Sequence, residues 1–258
     1  MLGQIVAAEP TALVCADPQD ADVVVVNTCG FLKAARDEAD ETLDAVERLH
    51  AEGHVVQIVA VGCYPQLWKE QVLKRHPGLS AVMGVDAMYK RTFWEGLLKE
   101  VPPLGVEQPV DPDIMRMFEA PRLLSGSGAY AYLKIADGCS QRCTYCTIPR
   151  IKGPLISRAP EVVLREAEQL VQAGATELIL VSQNTSAYGM DLTSEHRPQL
   201  ASLLHDLDQI QGVRVLRVLY LYPTLVTQEL LEVIGSSRHI AHYVDIPLQH
   251  TDPTVLKS

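Results

Sequence analysis

The chain has 258 residues, enough for one large or two medium domains. It carries 22 Lys and Arg against 32 Asp and Glu, a formal charge of −10. Neither residues 1–108, with 9 basic and 16 acidic groups, nor the remainder, with 13 and 16, offers an electrostatic footprint for a phosphate backbone. No stretch approaches a membrane span or a secretion signal, so a cytoplasmic protein is expected, and its 6 cysteines point to metal or redox chemistry, not a disulfide framework.

The first half alternates helix and strand. Met1–Ala8 reads as a helical fragment, and Ala12–Cys15 as a short apolar strand with Cys15 among core side chains. Asp22–Asn27 is β-branched and apolar on both faces, as a buried parallel strand should be. Leu32, Ala35, Ala39, Leu43, Val46 and Leu49 recur at helical spacing and predict a helix over Phe31–His50, ended by Gly53. Val55–Val61 is the next strand, Gln66–His76 a helix, Ala81–Met83 a strand and Tyr89–Glu100 a helix. This alternation predicts an α/β fold: a three-layer amino-terminal domain with a parallel sheet, over residues 1–108. Prolines and a Ser-Gly-Ser-Gly run mark residues 109–128 as a linker.

A second α/β unit spans 129–258. Strands are expected at Tyr130–Ala136, Glu177–Ser182, Val213–Tyr222 and Tyr243–Ile246, with helices at Pro160–Ala173, Gln199–Ile210 and Thr227–Ile234. Repeated strand and helix predicts a partial (β/α) barrel, with its site at the carboxyl ends of the strands. Both ends read as cut: no strand precedes the first helix, and residues 251–258 stop at a helix start.

Between the first barrel strand and its helix stands GCSQRCTYCTIP, residues 138–149, which spaces Cys139, Cys143 and Cys146 as C-x3-C-x2-C. A structural zinc requires four protein ligands, and three thiols on a turn are also compatible with plain burial. Three thiolates on a [4Fe–4S] cube leave one iron open for a small molecule. Cys29 follows one amino-terminal strand and Cys63 the next, each beside a glycine, where open α/β sheets gather ligands. The 8 histidines show no metal-ligand spacing and read as surface or satisfied core residues.

The cysteine loop with Tyr145 before its last Cys resembles the radical S-adenosylmethionine (SAM) enzymes. Asn27-Thr28-Cys29-Gly30-Phe31, Gly62-Cys63, residues 138–149 and Ser157-Arg158 together resemble one branch of that superfamily, the methylthiotransferases, over essentially the whole chain. That family joins an amino-terminal domain with a three-cysteine auxiliary cluster, a radical SAM barrel and a small carboxyl-terminal TRAM domain. NTCGF at 27–31, SQNTSAYG at 182–189, LYP at 221–223 and DIPLQH at 245–250 are most similar to the RimO type. RimO-type enzymes attach a methylthio group to the β-carbon of an aspartate in a small-subunit ribosomal protein. Lys152-Gly153 stands where the family usually has Arg-Gly, and Asn184 stands where RimO types often have Asp.

The resemblance implies that Cys139, Cys143 and Cys146 hold a [4Fe–4S] cluster whose open iron binds SAM. It implies that Cys29 and Cys63 are two ligands of a second, auxiliary [4Fe–4S] cluster, whose first cysteine should lie upstream of Met1. Ser182, Gln183, Asn184 and Gln249 are the expected SAM contacts, and no side chain is assigned a catalytic role of its own. The implied partners are a ribosomal protein as substrate and a flavodoxin- or ferredoxin-like electron donor. Nucleic acid would be met only through a carboxyl-terminal domain absent from these residues. Two other readings stay open: a tRNA adenosine methylthiotransferase of the MiaB type, which Asn184 favours, and a non-catalytic iron–sulfur or zinc module.

Overall fold

The computed structural model describes residues 2–85, 94–96 and 128–256. The chain divides into two compact units, residues 1–123 and 124–258. The division falls inside the segment read as a linker, most of which, like most of the expected Tyr89–Glu100 helix, lies outside the described residues.

The amino-terminal unit runs α1 (Leu2–Ala8), β1 (Val23–Thr28), α2 (Lys33–Ala51), β2 (Gln57–Gly62), α3 (Cys63–Arg75) and β3 (Ala81–Met83). Its sheet is parallel in the order β1-β2-β3, with Thr28 in register with Gly62. Strand residues alternate between two apolar layers. Val24, Val26, Ile58, Ala60 and Val82 pack with Leu43 and Val46 of α2 and Val72 of α3. Val23, Val25, Val59, Val61, Ala81 and Met83 pack with Ile5 of α1 and with Trp94. Helices on both faces explain why these strands are apolar throughout.

His76 at the end of α3 is fully buried, as a satisfied core histidine. Its ring nitrogens lie 3.1 Å from Asp40 Oδ1 and 3.1 Å from Glu47 Oε2 of α2. Arg75 pairs with Asp40 at 3.2 Å and with Asp44 at 3.6 Å, and Glu47 Oε1 accepts from Gly78 N at 2.8 Å. Asp44, Glu47 and His76 thus bring three donor atoms within 4.8 Å of one another. Their contacts with Arg75 and Gly78 make this an ion-pair lock between two helices.

The expected strand at Ala12–Cys15 does not form. The segment is irregular and Cys15 is exposed, as are Leu13 and Val14. A strand needs a ladder partner, and among the described residues β1 pairs only with β2. A helical turn at Cys63, with Pro65 tolerated in it, precedes the main body of α3, and the two pieces meet at a kink at Trp68 (φ −129°, ψ 37°).

The carboxyl-terminal unit contains β4 (Tyr130–Lys134), β5 (Ala136–Asp137), α4 (Ile148–Lys152), β6 (Ile156–Ser157), α5 (Pro160–Gln172), β7 (Glu177–Val181), α6 (Leu200–Asp208), β8 (Val215–Val218), α7 (Gln228–Ser236) and α8 (Pro253–Leu256). Strands β4, β7 and β8 form a parallel sheet in sequence order, the arrangement of a partial (β/α) barrel. Ala131, Leu133, Leu178, Leu180, Leu216 and Val218 face one core with Val163 and Ala167 of α5, Leu203, Leu204 and Leu207 of α6, and Leu230 and Ile234 of α7. Truncating a buried leucine such as Leu204 to alanine costs about 2–5 kcal/mol.

The expected fourth strand at Tyr243–Ile246 is irregular. The chain meets β8 earlier, by a single parallel bridge from Ile240 to Leu216. Tyr243 and Val244 are exposed, so apolar, β-branched character alone misplaced that strand. The first barrel strand also breaks at Ile135. Its last residues pair antiparallel with β6, Asp137 opposite Ile156, and this ribbon returns the chain beneath the cysteine loop.

Candidate iron–sulfur and SAM site

Cys139, Cys143 and Cys146 lie on the loop between β5 and α4, beyond the carboxyl end of β4. The loop is closed at its base. Cys139 N donates to Gly153 O at 3.1 Å, and Leu155 N donates to Ser140 Oγ at 3.1 Å. Gly138 has φ 73°, and a β-carbon there would fall 1.9 Å from Pro154 O, so only glycine fits this turn. At the far side Cys146 N donates to Cys143 O at 3.0 Å.

Cys139 is buried, while Cys143 and Cys146 are half-buried. Burial pushes the Cys139 thiol up, and the neighbouring Cys146 and Cys143 add to the shift. Three thiols that repel one another when ionised, on one loop, are a donor set suited to a cationic cluster, which relieves that repulsion on binding. Burial, with the thiol of Cys143 beside it, also pushes the Tyr145 phenol up. The Tyr145 hydroxyl donates to Gln249 Oε1, so the structure brings Gln249, held at φ 67°, to the loop.

Ser182, Gln183 and Asn184 follow β7 directly. Ser182 and Asn184 are buried and bonded within their own turn: Asn184 N donates to Ser182 Oγ at 3.2 Å, and Asn184 Oδ1 accepts from Ser186 Oγ at 2.9 Å. Gln183 differs. Its Oε1 is buried without a hydrogen-bond partner among the described residues. A buried acceptor left in that state is costly unless something else binds it. Thr147 Oγ1, next to Cys146, is in the same condition and was not singled out from the sequence. Asn184 and Cys139 line a common cavity of about 340 Å³ with Gln141, Met190, Asp191 and His196.

Ser157-Arg158 serves the scaffold. Arg158 is buried, donates to Lys134 O at 2.7 Å and pairs with Glu166 of α5. Ser157 Oγ accepts from Gly189 N at 2.9 Å, and Ser157 N donates to Asp191 Oδ2 at 2.7 Å. Those bonds hold the 182–191 loop beside the cysteines.

The ion cluster at Asp137 was also missed. Lys134 Nζ lies 2.5 Å and Lys152 Nζ 3.5 Å from Asp137 Oδ2. Burial alone would raise the Asp137 carboxyl, but the two lysines outweigh it and hold the group below the usual carboxylate range. Burial pulls Lys134 down, against the pull of Asp137. A lysine inside the otherwise apolar strand YAYLKIA was the signal available in the sequence.

In the amino-terminal unit Cys29 follows β1 and Cys63 follows β2, at adjacent ends of paired strands. Gly62 at φ 110° and Gly30 let the two ends close on each other. Cys15 sits elsewhere. Its sulfur lies 3.6 Å from Asp20 O, at the amino end of β1, whereas Cys29 lies past the carboxyl end. A strand of 6 residues separates those ends by roughly 20 Å.

Fold and cysteine loop define a radical SAM protein. Residues 133–258 match the radical SAM superfamily, and residues 2–84 match the family described as uncharacterized protein family UPF0004. The ribosomal protein uS12 methylthiotransferase RimO of Moorella thermoacetica is 42% identical over 245 residues, 95% of this chain and 55% of that protein. The enzymes of the same name from Syntrophus aciditrophicus and Trichlorobacter lovleyi are 39% and 38% identical, over 93% and 100% of this chain and 53% and 56% of theirs. The chain is similar to the RimO-type methylthiotransferases over nearly its whole length and spans about half the length of these relatives. In fold it is similar to the radical SAM methyltransferase TsrM of Kitasatospora setae, with TM-score 0.61, 15% identity, and coverage of 92% of this chain and 50% of TsrM. The cobalamin-dependent radical enzyme OxsB gives TM-score 0.60 at 15% identity, over 92% of this chain and 37% of OxsB. No described helix is long and apolar enough to cross a membrane.

Proposed function

We propose that these residues form the amino-terminal and barrel portion of a cytoplasmic enzyme that adds a methylthio group to the β-carbon of an aspartate in ribosomal protein uS12. The observation that carries the reading is the closed loop presenting Cys139, Cys143 and Cys146 at the carboxyl end of β4, which pairs in parallel with β7, whose following turn carries the unpartnered Gln183 Oε1. In this reading the three thiolates hold a [4Fe–4S] cluster with one iron left for SAM. When bound, that cluster supplies the electron that cleaves SAM.

The protein's own part is to bind and orient. Gln183 Oε1 and Thr147 Oγ1 accept hydrogen bonds from SAM, Gln249 closes over the loop through Tyr145, and Asn184 keeps the β7 turn in shape. Leu155, Ala187 and Met190 keep the adjoining cavity largely apolar and limit water. Cys29 and Cys63 supply two ligands of the auxiliary cluster that provides sulfur. A flavodoxin- or ferredoxin-like protein is the electron donor in this reading.

Anaerobic reconstitution with iron, sulfide and dithionite should give a chain that forms 5′-deoxyadenosine from SAM. Cys143→Ala should abolish that product, and equal product from variant and parent would sink the assignment. Substrate is tested on a longer protein that carries these residues, offered ribosomes and tRNA side by side. A methylthio group on the ribosomal protein is expected, and modification of tRNA alone overturns the substrate reading.

A further inference from the structure

We infer that Lys152 and Lys134, acting through Asp137, are positioning residues that clasp the mouth of the cysteine loop and thereby set the placement of the thiols. The inference rests on the proposed function only for what the thiols hold.

Asp137 is buried and stands immediately before the loop, opposite Ile156 in the β5–β6 ribbon. Its two oxygens have divided tasks. Oδ1 accepts from Gly138 N at 3.0 Å, which fixes the turn into Cys139. Oδ2 receives Lys134 at 2.5 Å and Lys152 at 3.5 Å. Lys134 ends β4, before the loop, and Lys152 ends α4, after it. One carboxylate therefore ties both stems of the loop together and orients its first turn. Lys134 is further fixed because its carbonyl accepts from buried Arg158 at 2.7 Å.

The backbone alone leaves this closure under-determined. α4 has 5 residues and no side-chain cap at its amino end, too short to be stable without tertiary contacts. The loop between Gly138 and Thr147 has no helix or strand. Beyond the two-residue β5–β6 ladder, the return stem is held by the Cys139–Gly153 backbone bond, the Ser140–Leu155 bond and the lysine–aspartate clasp. Buried ion pairs contribute little net stability but are costly to break on one side, so they suit the fixing of geometry.

The test measures thiol exposure in the metal-free chain, then iron binding. In the metal-free chain, Lys152→Met should make Cys139 react with iodoacetamide about tenfold faster, as a local opening of the loop requires. Cys15, which is exposed, should react at an unchanged rate and serve as the internal control. Lys152→Arg should restore the parent rate, since it restores the charge. Asp137→Asn, which releases Lys134 as well, should speed the reaction at least as much as Lys152→Met, and adding Lys152→Met to it should change nothing further, because both act on one clasp. After reconstitution, Lys152→Met should bind less iron, and the cluster it retains should have a lower reduction potential, since a half-buried cation has been removed nearby. A parent-like Cys139 rate in folded Lys152→Met, or additive effects in the double variant, overturns the inference. If Lys152→Met does not fold, Lys152→Gln is read in its place, and global unfolding of both overturns the inference, because the clasp would then hold the unit and not the loop. A parent chain that takes up no iron overturns the proposed function and leaves the alkylation result standing.

Discussion

Gly30 lies against the backbone of Cys63: a β-carbon at Gly30 would fall 2.7 Å from the Cys63 carbonyl oxygen and 2.7 Å from the Tyr64 Cα. This approach brings the chain after β1, with Cys29, onto the start of α3, with Cys63. Backbone atoms are the obstacle, so no side chain can swing away to make room.

Gly30→Ala should therefore part the two strand ends. A loss of about 1–3 kcal/mol in the stability of the amino-terminal unit is expected, together with weaker iron binding at Cys29 and Cys63. Thermal melting and iron analysis on the same preparation measure both. An alanine variant with unchanged melting and unchanged iron would show that the contact relaxes at no cost.

Cys15→Ala should leave the iron content of the reconstituted chain at the parent's value. The reason is position: Cys15 stands by Asp20 at the amino end of β1, away from Cys29. A second cluster that disappears with Cys15 would show that the segment before β1 folds back across the strand.

Gly138→Ala should be the most damaging single substitution in the cysteine loop that spares the thiols. It combines a positive φ with a β-carbon 1.9 Å from Pro154 O, and a change of at least about 3 kcal/mol is expected where backbone must move. Iron uptake by Cys139, Cys143 and Cys146 should fall with it. Circular dichroism that stays native while iron binding is lost would localise the damage to the loop, and parent-like iron binding would contradict the account of the turn.

Tyr188 links the 182–191 loop to Arg158, its hydroxyl donating to the Arg158 carbonyl at 2.8 Å. Tyr188→Phe should cost about 1 kcal/mol at neutral pH. Burial pushes the phenol of Tyr188 far up. A raised folded-state value means that its contribution is fully present below the unfolded tyrosine value, about 10. It is lost as pH rises from there towards the folded-state value, because only the unfolded chain ionises. Urea unfolding at pH 7 and pH 11 should therefore show the gap between parent and variant closing at the higher pH. A gap that widens would mean the hydroxyl ionises more easily folded than unfolded.

His76→Ala should destabilise the amino-terminal unit by about 1–3 kcal/mol, because Asp40 and Glu47 lose a buried partner. The loss should be unaffected by chelators if the cluster is an ion-pair lock. A melting temperature that falls on adding EDTA to the parent, and not on adding it to His76→Ala, would show that Asp44, Glu47 and His76 hold a metal.

Local pattern by itself indicated the strands found at Val23–Thr28 and Gln57–Gly62 (expected at Asp22–Asn27 and Val55–Val61), the amphipathic helix found over Lys33–Ala51 (expected over Phe31–His50), the parallel α/β class of both units, and the position of the C-x3-C-x2-C loop after the first barrel strand. These follow from periodicity and donor type, which neighbours in sequence carry. Tertiary structure decided the rest. Ala12–Cys15 and Tyr243–Ile246 have strand composition but no strand forms, because a strand exists only where a second one offers hydrogen bonds. Gln183, Ser182 and Asn184 are equal candidates in sequence, and only their bonding separates an acceptor left without a partner from two that cap their own turn. Lys134, Asp137 and Lys152 are scattered charges in the chain and meet on one buried oxygen only after β5 and β6 pair beneath the loop. Partnership between distant groups depends on distance in space, and spacing along the chain does not contain it.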